Sequence, residues 1–379
     1  MITFDDPSKP ASSIPLDAPG GFVWWYLELL DDNLDGLVMI WSFGLPFLPG
    51  YTSAARAGRG EAARERPSLN IAVYRGGRPA YYVLREFDPS DAQWDGAYRW
   101  RFGDTHIEGA LSPDGATRST RVYLDCPVDD AGARISGTVT VEGPVPQDML
   151  AHSLGFDATH AWTPLAAPAN GRAVLSLGSG LPFYVSGHAY HDRNVSSHGL
   201  HDLGIHYWAW GHTRTAEGSD RIFYILWPQG SPKSPHAFGL EISALGRCST
   251  VALRAELRGG SRTVYGMRRW DEVALFKDAD AGLPWMSMRL SPRQRVDDGP
   301  FYLRYLTKVA VDGATRGTSG SLELIAPDRI DLDRHRLLVQ MRVARPRGNS
   351  MWLPLFQGSR KTRLSRLARQ LTTTRGARA

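Results

Sequence analysis

The side chains able to do chemistry are concentrated in one part of the chain. Six of the eleven histidines, His188, His191, His198, His201, His206 and His212, lie between residues 188 and 212. Tyr190, Asp192, Asn194, Tyr207, Trp208 and Trp210 share that stretch. A metal centre is one use for clustered imidazoles, and His188/His191 and His198/His201 are each three residues apart. That step suits a helix, whereas on a strand it points the two rings to opposite faces. The segment does not read as a helix, and imidazoles ligate a metal only in matched geometry, so no metal site is expected. The same extended reading puts His188, Tyr190, Asp192 and Asn194 on one face. A carboxyl lined by aromatics loses solvation, which raises its pKa. A protonated Asp in an apolar pocket is a general acid. The competing use for Asp192 is a pairing with Arg193 or another surface cation, or a turn cap. The residues alone leave both open.

Two other clusters accompany this one. In His160-Ala161-Trp162-Thr163-Pro164, an extended backbone puts His160 and Trp162 on one face. In Phe22-Val23-Trp24-Trp25-Tyr26-Leu27-Glu28-Leu29, adjacent tryptophans put one indole on each face, one toward a core and the other free to meet a pocket. Taken alone, both clusters read as packing. The Gly-x-Ser-x-Gly elbow, the phosphate loop, Gly-x-Gly-x-x-Gly and His-Glu-x-x-His are all missing. Serine-hydrolase and nucleotide-dependent chemistry lose most of their support with them.

The elements that must position these residues are strands. Tyr98, Trp100 and Phe102 alternate with Arg99 and Arg101, Ile135, Val139 and Val141 with Ser136, Thr138 and Thr140, and Val251 to Leu257 with Arg254 and Glu256. Period-2 alternation argues for antiparallel sheet with one wet face. Leu69–Phe87 reads as a hairpin turning at Arg75-Gly76-Gly77-Arg78. Further strands are expected at Gly36–Phe43, Arg221–Trp227, Phe238–Ser243, Thr263–Met267, Phe301–Val311, Ser321–Ile325 and Leu337–Val343. Frequent Gly and Pro punctuate them (39 and 25 residues), a pattern of barrels or sandwiches. The small polar stretch Ser196-Ser197-His198-Gly199 marks a boundary between domains at 15–198 and 199–350, each the size of one lipocalin-like barrel.

The net charge of +5 is unevenly spread. From Ser359 to Ala379 there are seven basic residues and no acidic one, leaving 37 basic against 39 acidic in the rest. The globular part is therefore no nucleic-acid binder. In the tail, Leu364, Leu367, Ala368 and Leu371 follow helical spacing among Arg360, Lys361, Arg363, Arg366 and Arg369. A basic amphipathic helix over 359–379 can lie on an anionic membrane, and a solvated disordered terminus is the alternative. Two cysteines exclude a disulfide scaffold. The start Met-Ile-Thr-Phe-Asp-Asp-Pro is no signal peptide, and no apolar run reaches the roughly 18 residues of a spanning helix. A cytoplasmic protein is expected, with peripheral contact at the inner face of the membrane through the tail.

The three clusters occur in an order that resembles the acyclic carotenoid 1,2-hydratases (hydroxyneurosporene synthases), within the AttH-like superfamily of paired lipocalin-like domains. Gly20-Gly21-Phe22-Val23-Trp24-Trp25-Tyr26 is similar to that family's Gly-Gly-Tyr-x-Trp-Trp-Tyr, and Asn70-Ile71-Ala72-Val73-Tyr74 to its Asn-Val-Ala-Leu-Tyr strand. His160-Ala161-Trp162-Thr163-Pro164-Leu165-Ala166 resembles its His-x-Trp-x-Pro-Ile-Ala. Gly187-His188-Ala189-Tyr190-His191-Asp192-Arg193-Asn194 resembles its Gly-x-Gly-Tyr-x-Asp-x-Asn. Trp208-Ala209-Trp210 and Asp298-Gly299-Pro300-Phe301-Tyr302 match two later segments. Departures fall in the walls: Val195-Ser196 replaces an aromatic and Gly, Leu27-Glu28 replaces Val-Asp, Leu48-Pro49-Gly50-Tyr51 replaces Ser-Pro-Tyr-Tyr, and Ala189 replaces a Gly.

The resemblance implies an all-β fold of two lipocalin-like barrel or sandwich domains with a pocket near their junction, followed here by the short basic helix. It implies cofactor-independent addition of water to a terminal alkene of a carotenoid-like isoprenoid, without a protein partner. Carried over residue by residue, Asp192 is the proton donor, assisted by Tyr190, His160 and Trp162. Trp24, Trp25, Tyr26, His188, Asn194 and Trp208 are the expected substrate contacts. Two alternatives stand beside hydration: a cyclase or pericyclase of the same superfamily, and a carrier of hydrophobic ligands without chemistry.

Overall fold

The computed structural model describes residues 2–128, 133–149, 160–178, 181–230, 235–277, 282–332 and 334–335, with the short strands Val343–Ala344 and Gly358–Ser359. The tail helix expected over 359–379 and most of the strand expected at 337–343 lie outside these residues. Nearly all the regular structure described is strand, most of it in two large, mainly antiparallel sheets. Among the described residues, no helix is long and apolar enough to cross a membrane.

The first sheet is built around the hairpin of His160–Leu177 and Leu181–Ser196. On one side it continues through Phe22–Leu30, Gly36–Phe43, Pro67–Arg75 and Arg78–Glu86. On the other it continues through Arg134–Pro144, Thr117–Pro127, Thr105–Leu111, Arg99–Phe102 and Ala92–Trp94. Val343–Ala344 and Gly358–Ser359 return from the end of the chain to pair with Arg78–Glu86. The expected hairpin turns at Gly76 and Gly77, whose φ values of 55° and 66° are those a tight two-residue turn demands and glycine tolerates. The longest strand bends where the register shifts, between Pro164 and Ala169. Proline has no N–H to give a ladder, so Pro164 and Pro168 fall where pairing is interrupted.

The second sheet closes into an eight-stranded barrel. Ile205–Arg214, Asp220–Pro228, His236–Ile242, Cys248–Arg258, Glu272–Phe276 and Met286–Arg289 follow one another, then Tyr302–Val311 and Thr318–Ile325 complete the ring. Arg295–Asp298 attaches to Tyr302–Val311 from outside. One expectation fails here: Thr263–Met267 is a turn between the short strands Ser261–Arg262 and Arg268–Arg269. Gly266, at φ 79°, takes the left-handed conformation that closes it.

Alternation along these strands produces three cores. Residues such as Val23, Trp25, Leu27, Ile71, Trp100 and Val122 fill the concave side of the curled first sheet. Ala209, Phe223, Leu275, Met286, Leu303 and Leu324 fill the barrel. The third core joins the outer faces of the two sheets, with Trp24, Tyr26, Trp162 and Tyr190 from one and Trp208, Trp210, Tyr224 and Tyr302 from the other.

Candidate active site

A pocket opens within this third core. Its space, counting the mouth, is about 800 Å³. One wall is a single row across five neighbouring strands, Asp192–Tyr26–Ile40–Asn70–Leu84, each residue paired in register with the next. The opposite wall is a row across the barrel, Tyr224–Trp210–Glu323–Arg304–Asp297. Every residue of both rows lines the pocket. Register fixes this arrangement, because a one-residue slip would turn every one of these side chains away.

Asp192 lies at the centre of a fully buried hydrogen-bond set. Trp162 Nε1 donates to its Oδ2 at 2.8 Å and the Tyr190 hydroxyl to the same oxygen at 2.9 Å. Asn194 Nδ2 donates to Oδ1 at 3.0 Å. Burial disfavours the carboxylate and pushes the Asp192 pKa up to about 7, although the Trp162 and Tyr190 donors oppose the rise. The negative charge of Glu323 adds to it, while the charge on His212 lowers it. The surface pairing with Arg193 weighed from the sequence does not form. Arg193 points from the other face and binds the Lys9 and Asp6 carbonyls.

His160 supports the set from behind. Its Nε2 lies 2.9 Å from Asn194 Oδ1. Asn194 spends its N–H on Asp192, so its carbonyl oxygen faces the imidazole, and His160 must donate from Nε2. Burial holds the His160 pKa down to about 4, which keeps the ring neutral. Aromatic rings enclose the group: Trp162 meets Tyr224 edge-on at 4.8 Å, and Tyr190 lies 5.6 Å from Trp210.

Of the expected substrate contacts, Trp24, Tyr26, Asn194 and Trp208 line the pocket. Trp25 does not. It lies on the opposite face, stacked on Trp41 at 6.3 Å and edge-on to Trp100 at 4.9 Å. His188 shares the face of Tyr190 but sits beyond the pocket, with its ring 6.3 Å from that of His212. Burial and the His212 charge push the His188 pKa down to about 4. The histidine-rich stretch therefore disperses. His191 turns to the other face and its Nδ1 meets the Tyr26 carbonyl at 2.8 Å, and His206 pairs with Asp328 at 2.8 Å. Among the described residues, no three His, Cys, Asp or Glu side chains group as a metal site requires.

Sequence reading missed two polar groups beside the pocket. The first is Glu28, His212, Asp220 and Arg214. The imidazole of His212 lies 3.4 Å from Glu28 Oε1 and 3.2 Å from Asp220 Oδ2. Despite burial, the two carboxylates raise the His212 pKa to about 9. The second group is the barrel wall itself, where Arg304 is ion-paired with Glu323 and its Nε donates to the Tyr302 hydroxyl at 2.8 Å. The available signal was a charge flanked on both sides by apolar or aromatic residues, as in Leu322-Glu323-Leu324 and Leu303-Arg304-Tyr305.

Two lipocalin-like β units clasp an aromatic pocket around a buried carboxyl. The family model described as carotenoid hydratase CrtC matches residues 122–352. A hydroxyneurosporene dehydrogenase of Chlorobaculum tepidum is 24% identical over 320 residues, covering 78% of this chain and 79% of its own. An acyclic carotenoid 1,2-hydratase of Thiocapsa roseopersicina is 24% identical over 315 residues, covering 81% and 70%. Among solved structures, an AttH protein of Nitrosomonas europaea superposes with a TM-score of 0.55 at 15% identity, over 85% of this chain and 95% of its own. Kievitone hydratase of Nectria haematococca gives 0.50 at 12%, over 86% and 96%. These two share the fold. The chain belongs to the carotenoid hydratase family, and is a hydro-lyase.

Proposed function

We propose that this enzyme adds water across a terminal carbon–carbon double bond of an acyclic carotenoid or related isoprenoid, with Asp192 as the acid. The observation that carries the reading is the Asp192 carboxyl, enclosed among aromatic rings in a burial that pushes its pKa up to about 7. Oδ2 already accepts two hydrogen bonds and Oδ1 one, so Oδ1 has room to carry the proton. The acid protonates the less substituted alkene carbon and leaves a tertiary cation on its neighbour. Trp162, Tyr190 and Asn194 then stabilise the carboxylate left behind, and His160 fixes Asn194. Trp24, Trp208, Trp210 and Tyr224 line the pocket, and their rings meet the cation, an interaction worth about 2 kcal/mol or more once desolvated. Water adds to the cation without any cofactor.

The division of the chain at 198/199 makes the two walls the contributions of two units, one supplying the acid and the other most of the facing rings. The basic segment 359–379 is assigned to the bilayer surface, where such substrates dissolve. Removing 360–379 is expected to abolish sedimentation with anionic liposomes while sparing turnover in detergent, and unchanged sedimentation would remove that assignment.

The test of the reaction is incubation with neurosporene and lycopene in detergent, scored by mass spectrometry for the gain of one water, beside Asp192→Asn. Hydration by the unaltered protein alone supports the reading. Saturable polyene binding without product would favour a carrier, and hydration by the variant would remove Asp192 from its role.

A further inference from the structure

A pocket that had only to hold a hydrocarbon would have no use for the Arg304–Glu323 pair. Moving two charges out of water costs several kcal/mol per ion before their attraction repays it, and both are buried in the wall. Glu323 stands one register step from Trp210 and one from Arg304, directly in the row that faces Asp192. It comes from the barrel, whereas Asp192 comes from the first sheet. The two carboxyl groups line one pocket from opposing sides.

We propose that Glu323 is the base of the hydration reaction, taking the proton released by the attacking water on the wall opposite Asp192. The inference rests on the hydration reading above and extends it to the second half of the reaction. Its chemistry balances as follows. The Asp192 O–H bond breaks, and the alkene π pair binds that proton at the less substituted carbon. A water lone pair then forms the C–O bond at the cationic carbon, and one water O–H bond breaks, its proton passing to the Glu323 carboxylate. Asp192 is left ionised and Glu323 protonated, and one proton returns from Glu323 to Asp192 through solvent once the alcohol leaves.

Three observations support Glu323 over the alternative, in which Asp192 takes the proton back. First, the newly formed Asp192 carboxylate already accepts three hydrogen bonds, from Trp162, Tyr190 and Asn194, which weakens it as an acceptor. Second, a held water needs two to four polar partners. The barrel wall supplies them in Glu323, Arg304, Tyr302 and Asp297, with Tyr74 across from them, whereas at the Asp192 end Asn194 is already held between Asp192 and His160 and stands among Trp and Tyr rings. Third, burial pushes the Glu323 pKa above the ordinary glutamate value, which makes its carboxylate a better base than an exposed one, while the ion pair with Arg304 opposes that rise. Two carboxyl groups that divide acid and base duties around one water are an established chemical solution in glycoside hydrolysis.

The experiment compares the unaltered protein with Glu323→Gln in deuterated buffer, using lycopene in detergent. Mass spectrometry reads both the hydrated product and deuterium in the recovered alkene. Gln preserves shape and can still accept from Arg304. The expected result is a loss of hydration of about 100-fold or more, with deuterium still entering the recovered alkene. Asp192 then still forms the cation, which collapses by returning a carbon-bound proton to Asp192. Hydration within threefold of the unaltered rate overturns the proposal, and so does loss of deuterium exchange together with hydration, because Glu323 would then serve the acid or the fold. If Glu323→Gln does not fold, Glu323→Asp replaces it. Its retracted carboxylate is expected to slow hydration at least tenfold while sparing exchange, and equal losses of both overturn the proposal. Failure of the hydration reading itself looks different: the unaltered protein would show neither water gain nor exchange.

Discussion

Trp162 and Asp192 lie on neighbouring strands and meet diagonally. The indole Nε1 of Trp162 passes its own register partner, Asn194, and donates to Asp192 Oδ2 at 2.8 Å. One residue thus holds the carboxylate while its ring packs against Tyr224. Removing the donor should shift the balance set by burial. In Trp162→Phe the carboxylate loses a hydrogen bond worth about 1.5–3 kcal/mol, so the Asp192 pKa should rise by roughly one to two units. Activity requires the protonated acid, so kcat in the unaltered enzyme should fall as pH rises through about 7, and in the variant that fall should move to higher pH. A limb that stays in place would separate Trp162 from the acidity of Asp192.

Stability should show the same carboxyl with a definite sign. The folded Asp192 pKa, about 7, lies above the ordinary aspartate value of 3.8, so the native state binds the proton more tightly. The stabilising contribution is complete below the unfolded value and is lost as pH rises through about 7. At about 1.4 kcal/mol per unit, the loss is on the order of 4 kcal/mol. Asp192→Asn has no proton to lose. The difference between the two melting temperatures should therefore move in favour of the variant between pH 4 and pH 8. A constant difference over that range would mean the carboxyl is not shifted.

His160 should remain neutral and in one tautomer, with its proton on Nε2, from pH 5.5 to 9. Nitrogen-15 chemical shifts read this directly. His160→Gln can still donate to Asn194 and should keep more activity than His160→Leu, which leaves the Asn194 carbonyl oxygen without its donor. Equal losses would show that packing, and not the hydrogen bond, is what His160 supplies.

Adjacent tryptophans should separate folding from binding. Trp25→Ala removes a ring packed against Trp41, Trp94 and Trp100 and should cost about 3–5 kcal/mol of stability with little change in KM. Trp24→Ala opens the pocket wall and should raise KM or alter which substrates are accepted. The contrast is checked by denaturant unfolding beside steady-state kinetics.

The first wall was legible because strand alternation is a local property. His188, Tyr190, Asp192 and Asn194 do share a face, and Trp24 and Trp25 do point apart, as period-2 geometry requires. The resemblance brought His160 and Trp162 to the same site, and the structure places both beside Asp192 or its partner Asn194. The barrel wall was harder to read. Tyr224, Arg304 and Glu323 come from strands far along the chain, and their meeting with Asp192 depends on how the curled sheet and the closed barrel pack, which no local period encodes. Trp25 and His188 stand among the expected contacts, Trp25 from the adjacent-tryptophan pair and His188 from the face it shares with Asp192. Trp25 fails because a strand turns neighbours to opposite faces, and His188 because it sits one step too far along the correct face.

The pocket lies against the outside of both sheets, so neither interior is spent on it. The barrel packs its lumen with Phe223, Met286 and Leu303, and the curled sheet fills its own hollow with Trp25, Ile71 and Val122. Shape selection thus rests on the core between the two sheets, apart from the residues that fill either interior. Walls such as Ile40, Leu84 and Ile325 can be exchanged for larger or smaller ones without repacking either interior, and a scaffold of this kind can diversify its cargo while its folding code stays still.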